Sequence, residues 1–131
     1  MEKITLPTGT LSPKELESLL DGLPVDVTFV DSQDTVRYFN RLGKRIFPRT
    51  AAVIGRKVQQ CHPQKSLAKV EEILRDFRSG KRDSAEFWIS LQGRMVHIRY
   101  FALRKGSYLG CLEVSQDVTE IQKLKGEKRL L

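Results

Sequence analysis

The sequence has few of the features that mark exported, membrane-spanning or disulfide-linked proteins. Its 131 residues include only two cysteines, Cys61 and Cys111, and two cysteines without an export signal favour free thiols over a disulfide. No apolar run approaches the roughly 20 residues that a membrane helix needs. The opening residues, MEKITLPTGT, lack the apolar stretch of a signal peptide. We therefore expect one cytoplasmic domain without a membrane span.

The chain carries a net charge of +7, and residues 35–70 contain no acidic residue. The basic residues of this stretch are Arg37, Arg41, Lys44, Arg45, Arg49, Arg56, Lys57, Lys65 and Lys69. A solvated basic face is the favoured interpretation, and an anionic partner or ligand beside the segment is the second. Nucleic acid is disfavoured as a partner because the sequence contains no known nucleic-acid-binding motif.

The common catalytic patterns are also missing. The sequence has no P-loop, no Gly-x-Gly-x-x-Gly pattern and no recognisable Ser/His/Asp arrangement. Its adjacent acidic pair, Glu71 and Glu72, falls on a predicted helix, where consecutive residues do not share a face. We therefore expect a protein that is not an enzyme.

The first half of the chain predicts a helix followed by a hairpin. Residues 1–10 are expected to be irregular. Ser12, Pro13 and Glu15 form the pattern of an N-cap, a first-turn proline and a capping box. Alternating residues predict strands over 25–30 and 35–39. One or two helical turns are expected over 40–47.

The second half predicts one longer helix, three strands and a final helix. Pro63 suits the first position of a helix that Ser79-Gly80 ends. Strands are expected over 84–91, 95–103 and 108–115. A last helix should begin at an Asp117 N-cap. Two strands and then three, with helices between them, predict an α+β domain with one antiparallel sheet and helices on one face.

Three strings in this order resemble the PAS domain family. LPVDVTFVDSQDTVRYFN resembles the opening hairpin of a PAS domain, VIGRKVQQCHPQKS resembles the stretch with an Ile-Gly pair and then a His-Pro pair, and YLGCLEVSQDVTE resembles the closing strand with its Asp-x-Thr exit. The strings RIFPRTAAVIGRKVQQCHPQKS, FWISLQGRMVHIRYFALR and KLKGEKRLL are similar to the C-terminal PAS domain of prokaryotic multidomain proteins that carry a domain of unknown function and a hemerythrin-like module. This resemblance covers residues 12–131.

The resemblance implies a division of the chain and a role for it. Residues 1–24 would form an N-terminal segment with a flanking helix, residues 25–117 the PAS core with a five-stranded antiparallel sheet, and residues 118–131 a signalling helix. The implied function is a sensory module that binds a small ligand or a protein partner and relays its state through the exit helix, with Asp117 and Thr119 at the relay. Homodimerisation and attachment to other domains of a longer protein are also implied.

Two histidines are candidates for the cleft that the resemblance implies between sheet and helices. His62 should lie at the start of a helix, where it either caps that helix or, as a neutral imidazole, ligates haem. His97 lies in the middle of a strand and would face the cleft on one strand parity and solvent on the other. A non-covalent haem sensor with His62 or His97 as the axial ligand is thus one alternative function, and a purely structural dimerisation module is another.

Other cofactors are disfavoured by the spacing of their ligands. Cys61, His62, His97 and Cys111 could supply a zinc cage only if two adjacent residues shared one metal. A photosensor of the LOV (light, oxygen or voltage) type needs its cysteine in a Gly-Arg-Asn-Cys pattern, whereas here Gly55-Arg56 is followed by Lys57 and Val58. Zinc and LOV-type flavin are therefore not expected, and the ligand stays unnamed.

Aromatic and arginine side chains complete the candidate list. Phe39, Phe47 and Tyr100 are expected to line the cleft, although such residues more often form core. Arg56 or Arg99 could hold an anionic ligand in bidentate fashion, with surface ion pairs as the alternative.

Overall fold

A computed structural model, described for residues 2–131, contains a small N-terminal hairpin, two α-helices and a five-stranded antiparallel sheet. The elements in chain order are β1 (Ile4–Leu6), β2 (Gly9–Leu11), α1 (Pro13–Gly22), β3 (Asp26–Asp31), β4 (Val36–Phe39), α2 (Gln64–Ser79), β5 (Ser84–Leu91), β6 (Arg94–Lys105) and β7 (Ser107–Asp117). Short 3-10 turns span Ala51–Val53, Val58–Cys61 and Ile121–Lys123. The strand order β4-β3-β7-β6-β5 confirms the predicted α+β class and its single antiparallel sheet.

The N-terminal residues are not irregular, as the sequence suggested, but form a hairpin. β1 and β2 pair antiparallel, with Ile4 opposite Leu11. Pro7 and Thr8 form the turn of this hairpin, and Gly9 is the first residue of β2. The capping box that follows is confirmed, because the N–H of Glu15 donates to Ser12 Oγ at 3.1 Å and the N–H of Ser12 donates to Glu15 Oε1 at 2.8 Å.

Asn40 ties helix α1 to the first hairpin of the sheet. Its side chain is 1% exposed, and Oδ1 accepts from the N–H of Val27 at 2.7 Å. Nδ2 donates to the carbonyls of Leu20 at 2.7 Å and Val25 at 3.1 Å. One buried amide thus satisfies three backbone groups from two elements and the linker between them.

The predicted helical turns over 40–47 are wrong. Arg45 replaces them with a side-chain network, since its guanidinium donates to the carbonyl of Asn40 at 3.0 Å, the carbonyl of Val27 at 3.1 Å and Thr28 Oγ1 at 3.1 Å. Burial lowers the pKa of Arg45, and the nearby Asp26 partly opposes that effect. Arg45 thus bonds the carbonyls of Asn40 and Phe47 within the loop and acceptors on β3, and these bonds take the place of helical hydrogen bonds.

The basic stretch is partly structural. Arg49 lies 3.5 Å from the carboxylate of Glu113, and Arg41 lies 3.9 Å from that of Asp26. Both carboxylates are buried. These arginines, together with Arg45, therefore balance the charges of buried carboxylates and do not contribute to a free basic surface patch.

The hydrophobic core lies between α2 and one face of the sheet, here called the inner face. Phe77 and Leu74 of α2 pack there with Val30 and Cys111, and Phe77 is 0% exposed. Gly80 ends α2 with a left-handed φ of +80°, as the Ser79-Gly80 pair predicted. At the other end, Pro63 occupies the N-cap rather than the first helical position.

The predicted exit helix over 118–131 is reduced to the single 3-10 turn Ile121–Lys123. Ile121 is 50% exposed and Leu124 is 77% exposed, so neither packs against the domain. An isolated helix of about a dozen residues is marginal in water without such packing, and Gly126 interrupts it with a φ of +64°. Within residues 2–131, neither α-helix has the length and apolar character needed to cross a bilayer.

Candidate functional site

An apolar groove of about 250 Å³ lies between α2 and the β5–β6 edge of the sheet. Helix α2 contributes Ser66, Lys69, Val70 and Ile73, the sheet contributes Phe87, Ile89, Ile98 and Tyr100, and His62 stands at the end nearest the helix start. The groove adjoins an enclosed cavity of about 20 Å³ that shares His62, Val70, Ile73 and Tyr100 as walls. A cavity of that size holds about one water molecule.

His62 closes the turn before α2 and does not cap α2 itself. The helix has no side-chain cap, and His62 is instead the C-cap of the turn Val58–Cys61. Its Nδ1 lies 3.0 Å from the carbonyl oxygen of Val58. A carbonyl can only accept, so Nδ1 carries the hydrogen and Nε2 of the neutral ring keeps its lone pair. The sequence-based capping role is therefore corrected, and the side chain lies at the groove.

The walls of the enclosed cavity include the two groups of the described chain whose pKa values are shifted most, those of Tyr100 and Cys111. Burial raises the pKa of Tyr100 well above its ordinary value, and the Glu113 carboxylate nearby adds to the effect. Burial, with Glu113 again contributing, raises the pKa of the Cys111 thiol to about 12. These groups are therefore neutral at physiological pH and present the cavity with weakly polar walls.

Alkylation should separate the two cysteines. We expect iodoacetamide at neutral pH to modify Cys61, which is partly exposed, and to spare the buried Cys111, because only the thiolate reacts. Intact mass should then show one adduct on the native chain and two in denaturant. Two adducts on a chain that still gives its native spectrum would contradict the burial of Cys111.

His97 and Arg99 do not line the cleft. Tyr100 faces the core, and side chains alternate along a strand, so His97 and Arg99 point to the opposite, outer face of the sheet. There His97 Nε2 lies 2.6 Å from Glu86 Oε2, and the Arg99 guanidinium lies 5.7 Å from the centre of the Phe101 ring. His97 and Arg99 therefore do not face the cleft, contrary to the hypothesis that they contact a ligand there.

The remaining cleft candidates also lie elsewhere. Arg56 is exposed, and its carbonyl accepts from the N–H of Val36 at 2.9 Å. Phe39 and Phe47 are absent from the walls of the cavity and the groove. Phe39 borders a different, more open groove of about 350 Å³ beside α1, whose walls include Arg41. Of the seven predicted cleft residues, the structure therefore brings together His62 and Tyr100.

Sequence reasoning missed most of the groove walls. Residues 66, 69, 70 and 73 follow one another at helical spacing, which places them on one helix face. That spacing identifies the helix face, but the sequence does not show that this face borders a groove. Phe87 and Ile89 likewise alternate along β5, yet nothing local shows that α2 leaves them uncovered.

Haem does not fit the cleft in this conformation. The enclosed cavity admits about one water molecule, and ligand pockets for even drug-sized molecules span roughly 300–1,000 Å³. His97 faces away from the cleft, so His62 is the one predicted axial ligand that lies at the groove. Within residues 2–131, no three acidic, histidine or cysteine residues cluster as a metal site.

The Asp-x-Thr pair fastens the end of β7 to the start of β6. The Thr119 hydroxyl donates to Asp117 Oδ1 at 2.6 Å, and the N–H of Met95 donates to Thr119 Oγ1 at 2.9 Å. The N–H of Val118 donates to the carbonyl of Met95 at 2.9 Å. Arg94 adds a 2.6 Å ion pair to Asp117. We call this set, residues 94–95 and 117–119, the exit clasp.

The exit clasp should make the folding stability depend on pH in the acid range. The Thr119 hydroxyl and N–H, with Arg94, lower the pKa of Asp117 from 3.8 to about 2. A lowered folded-state pKa means that the stabilisation is complete above pH 3.8 and is lost as pH falls through about 2. We expect Asp117→Asn to flatten the pH dependence of the urea midpoint in that window.

The companion variant Thr119→Val removes the hydroxyl that donates to Asp117 and keeps the shape of the side chain. It should weaken the same pH dependence while leaving Arg94 in place. Parallel midpoint curves for wild type and Asp117→Asn below pH 4 would contradict the assignment.

Comparison with known proteins identifies the family. The PAS domain family model matches residues 16–119, which is most of the chain. The chain belongs to the PAS domain family. The resemblance read from the three sequence strings is thus confirmed at this level.

Solved structures share the fold of this chain. The C-terminal domain of a Streptococcus mutans protein is 32% identical to this PAS domain, with a TM-score of 0.87 over 95% of this chain and 98% of that one. A PAS domain from Colwellia psychrerythraea is 13% identical, with a TM-score of 0.59 over 82% and 97% of the two chains. The PAS domain of Bordetella pertussis BvgS is 17% identical, with a TM-score of 0.53 over 84% and 87%. A search of proteins with curated descriptions gives no match.

Proposed function

We propose that this PAS domain is a sensory module, without catalytic activity, that binds a small molecule in the groove between α2 and β5–β6. The observation that carries the proposal is the apolar groove, which shares Tyr100 and His62 with the enclosed cavity at the centre of the core. Concave apolar sites with a few convergent polar groups are the usual form of ligand sites. Two well-placed groups, the His62 imidazole and the Tyr100 hydroxyl, supply that polarity.

Strand β6 offers a route from the groove to the chain end. Ile98 and Tyr100 of β6 border the groove, and Met95 of the same strand holds Thr119 and Val118 in the exit clasp. A ligand that shifts β6 would therefore bias the clasp and residues 118–131. Such coupling requires that the ligand bind one arrangement of the clasp better than another.

Nuclear magnetic resonance can test binding and relay together. We expect members of a small-molecule library to shift the amide resonances of Val70, Ile98 and Tyr100, and with them those of Val118 and Thr119. Binding that shifts the groove but leaves the exit clasp unmoved would overturn the relay. A library without any groove binder, or with binders only at other surfaces, would overturn the site.

We also infer that the domain works as a homodimer within a longer cytoplasmic prokaryotic protein. Ile121 and Leu124 are exposed at 50% and 77%, and Leu131 is fully exposed, so the segment after the clasp offers an unpaired apolar seam. The Streptococcus mutans relative is described as a C-terminal domain, which supports attachment to other domains.

Truncation tests the dimer. Ending the chain at Val118 removes this seam and should yield a monomer by light scattering, whereas the full chain should give twice the mass of its own single chain. The double change of Ile121 and Leu124 to serine is the matched control that keeps chain length. A dimer that persists in both variants would rule out this segment as the interface.

A further inference from the structure

We propose that the groove takes a neutral aromatic molecule of one or two rings that carries a single hydrogen-bond donor, and that His62 Nε2 accepts that hydrogen. This inference rests on the proposed function, since it names the ligand class of the same groove. Three features of the groove support it: the fixed imidazole, the aromatic walls and the absence of a free charge.

The fixed imidazole specifies a donor on the ligand. The carbonyl of Val58 holds the hydrogen of His62 at Nδ1, so Nε2 on the other side of the ring presents a lone pair. Among residues 2–131, no group donates to Nε2, and His62 borders both the groove and the cavity. A ligand with an N–H or O–H group complements this acceptor, whereas a ligand with only acceptors leaves it unpaired.

The aromatic walls favour a flat ring. Phe87 and Tyr100 meet edge to face, with ring centres 5.9 Å apart and planes at 76°. Both rings border the groove, opposite Val70 and Ile73 of α2. A planar ligand can slide between the helix and these rings and make the offset or edge contacts that aromatic pairs prefer.

Charge and size limit the ligand further. The ammonium of Lys69 at the groove lies 3.7 Å from the Glu72 carboxylate, and the carboxylate of Glu113, in the wall of the cavity, lies 3.5 Å from Arg49. Each charge near the site therefore has a partner of opposite sign, and the walls offer no excess charge to an ion. A volume of about 250 Å³ lies below the usual range for drug-sized ligands, which favours one or two rings.

Indole and benzofuran provide a matched test on the full chain. The two molecules have nearly the same shape, but benzofuran has a ring oxygen where indole has an N–H. We expect indole to bind about tenfold more tightly, as one net hydrogen bond provides. Indole should also shift the Nε2 nitrogen resonance of His62 and the amides of Ile98 and Tyr100.

Two variants locate the effect. His62→Phe should bring the two affinities within about twofold, with a thermal melt confirming that the variant folds. Glu71→Gln, on the exposed side of α2 and outside the groove walls, should leave indole binding unchanged. Tighter binding of indole-2-carboxylate than of indole to the wild-type chain would overturn the neutral-ligand assignment.

The outcomes for the two probes separate this inference from the proposed function. Equal affinities in the wild-type chain would overturn the role of His62 as acceptor, and would leave the groove as a binding site. If neither probe binds while other library members shift the groove resonances, the ligand class is wrong and the sensory site stands. If no molecule of any class shifts the groove, the site itself is wrong.

Discussion

Replacing Gly110 with alanine should destabilise the domain by at least about 3 kcal/mol. Gly110 has a φ of +144°, a conformation that costs other residues roughly 1–3 kcal/mol. An added Cβ would lie 2.1 Å from the carbonyl oxygen of Val30 and 2.9 Å from Asp31 Cα. Both contacts are with the backbone of the neighbouring strand β3, where Asp31 pairs with Gly110, so the clash cannot be relieved by a side-chain rotation.

Gly93 provides the matched control for this substitution. It also has a positive φ, of +80°, but nothing lies within 4 Å of its added Cβ. Gly93→Ala should therefore cost only the backbone strain, about 1–2 kcal/mol. Urea unfolding followed by circular dichroism measures both variants, and equal losses would show that the close approach of β3 and β7 is not a constraint.

Phe77→Ala should be the most damaging change in the core, with a loss of about 3–5 kcal/mol. Phe77 is 0% exposed and packs between α2 and the inner face of the sheet. Because typical domains unfold at a cost of only about 5–15 kcal/mol, much of the stability should disappear. Leu19→Ala on α1, at 51% exposure, is the control and should change stability by roughly 0.5 kcal/mol or less. Similar urea midpoints for the two variants would contradict the placement of the core.

The order of elements could be predicted from local chemistry. The Ser12–Glu15 capping box, the Ser79-Gly80 stop and the five strands each depend on neighbouring residues, and the structure has all of them. The prediction of an exit helix was wrong because such a short helix needs packing partners, and the segment has none within one chain. The prediction of helical turns over 40–47 was wrong because Arg45 donates to acceptors on strand β3. That contact is distant in sequence, so local sequence patterns do not indicate it.

The site was harder to predict than the fold, for a similar reason. His97 and Tyr100 lie on a strand with apolar residues on both faces, and only the packing of α2 decides which face is inner. His62 was recognised by its His-Pro pair, but its partner, the carbonyl of Val58, depends on the 3-10 turn before it. The groove exists because α2 leaves Phe87 and Ile89 uncovered, which is a property of tertiary packing.

Hydrogen exchange in a groove-filling variant tests the central claim most directly, because it needs no ligand. In Val70→Trp the indole would occupy the groove, and in the control Glu71→Trp it would lie on the exposed side of α2. The amides to follow are those of Val118 and Thr119, which are bonded in the exit clasp. We predict changed protection of these amides in Val70→Trp and unchanged protection in the control. Identical exchange in both folded variants would contradict a connection between the groove and the end of the chain.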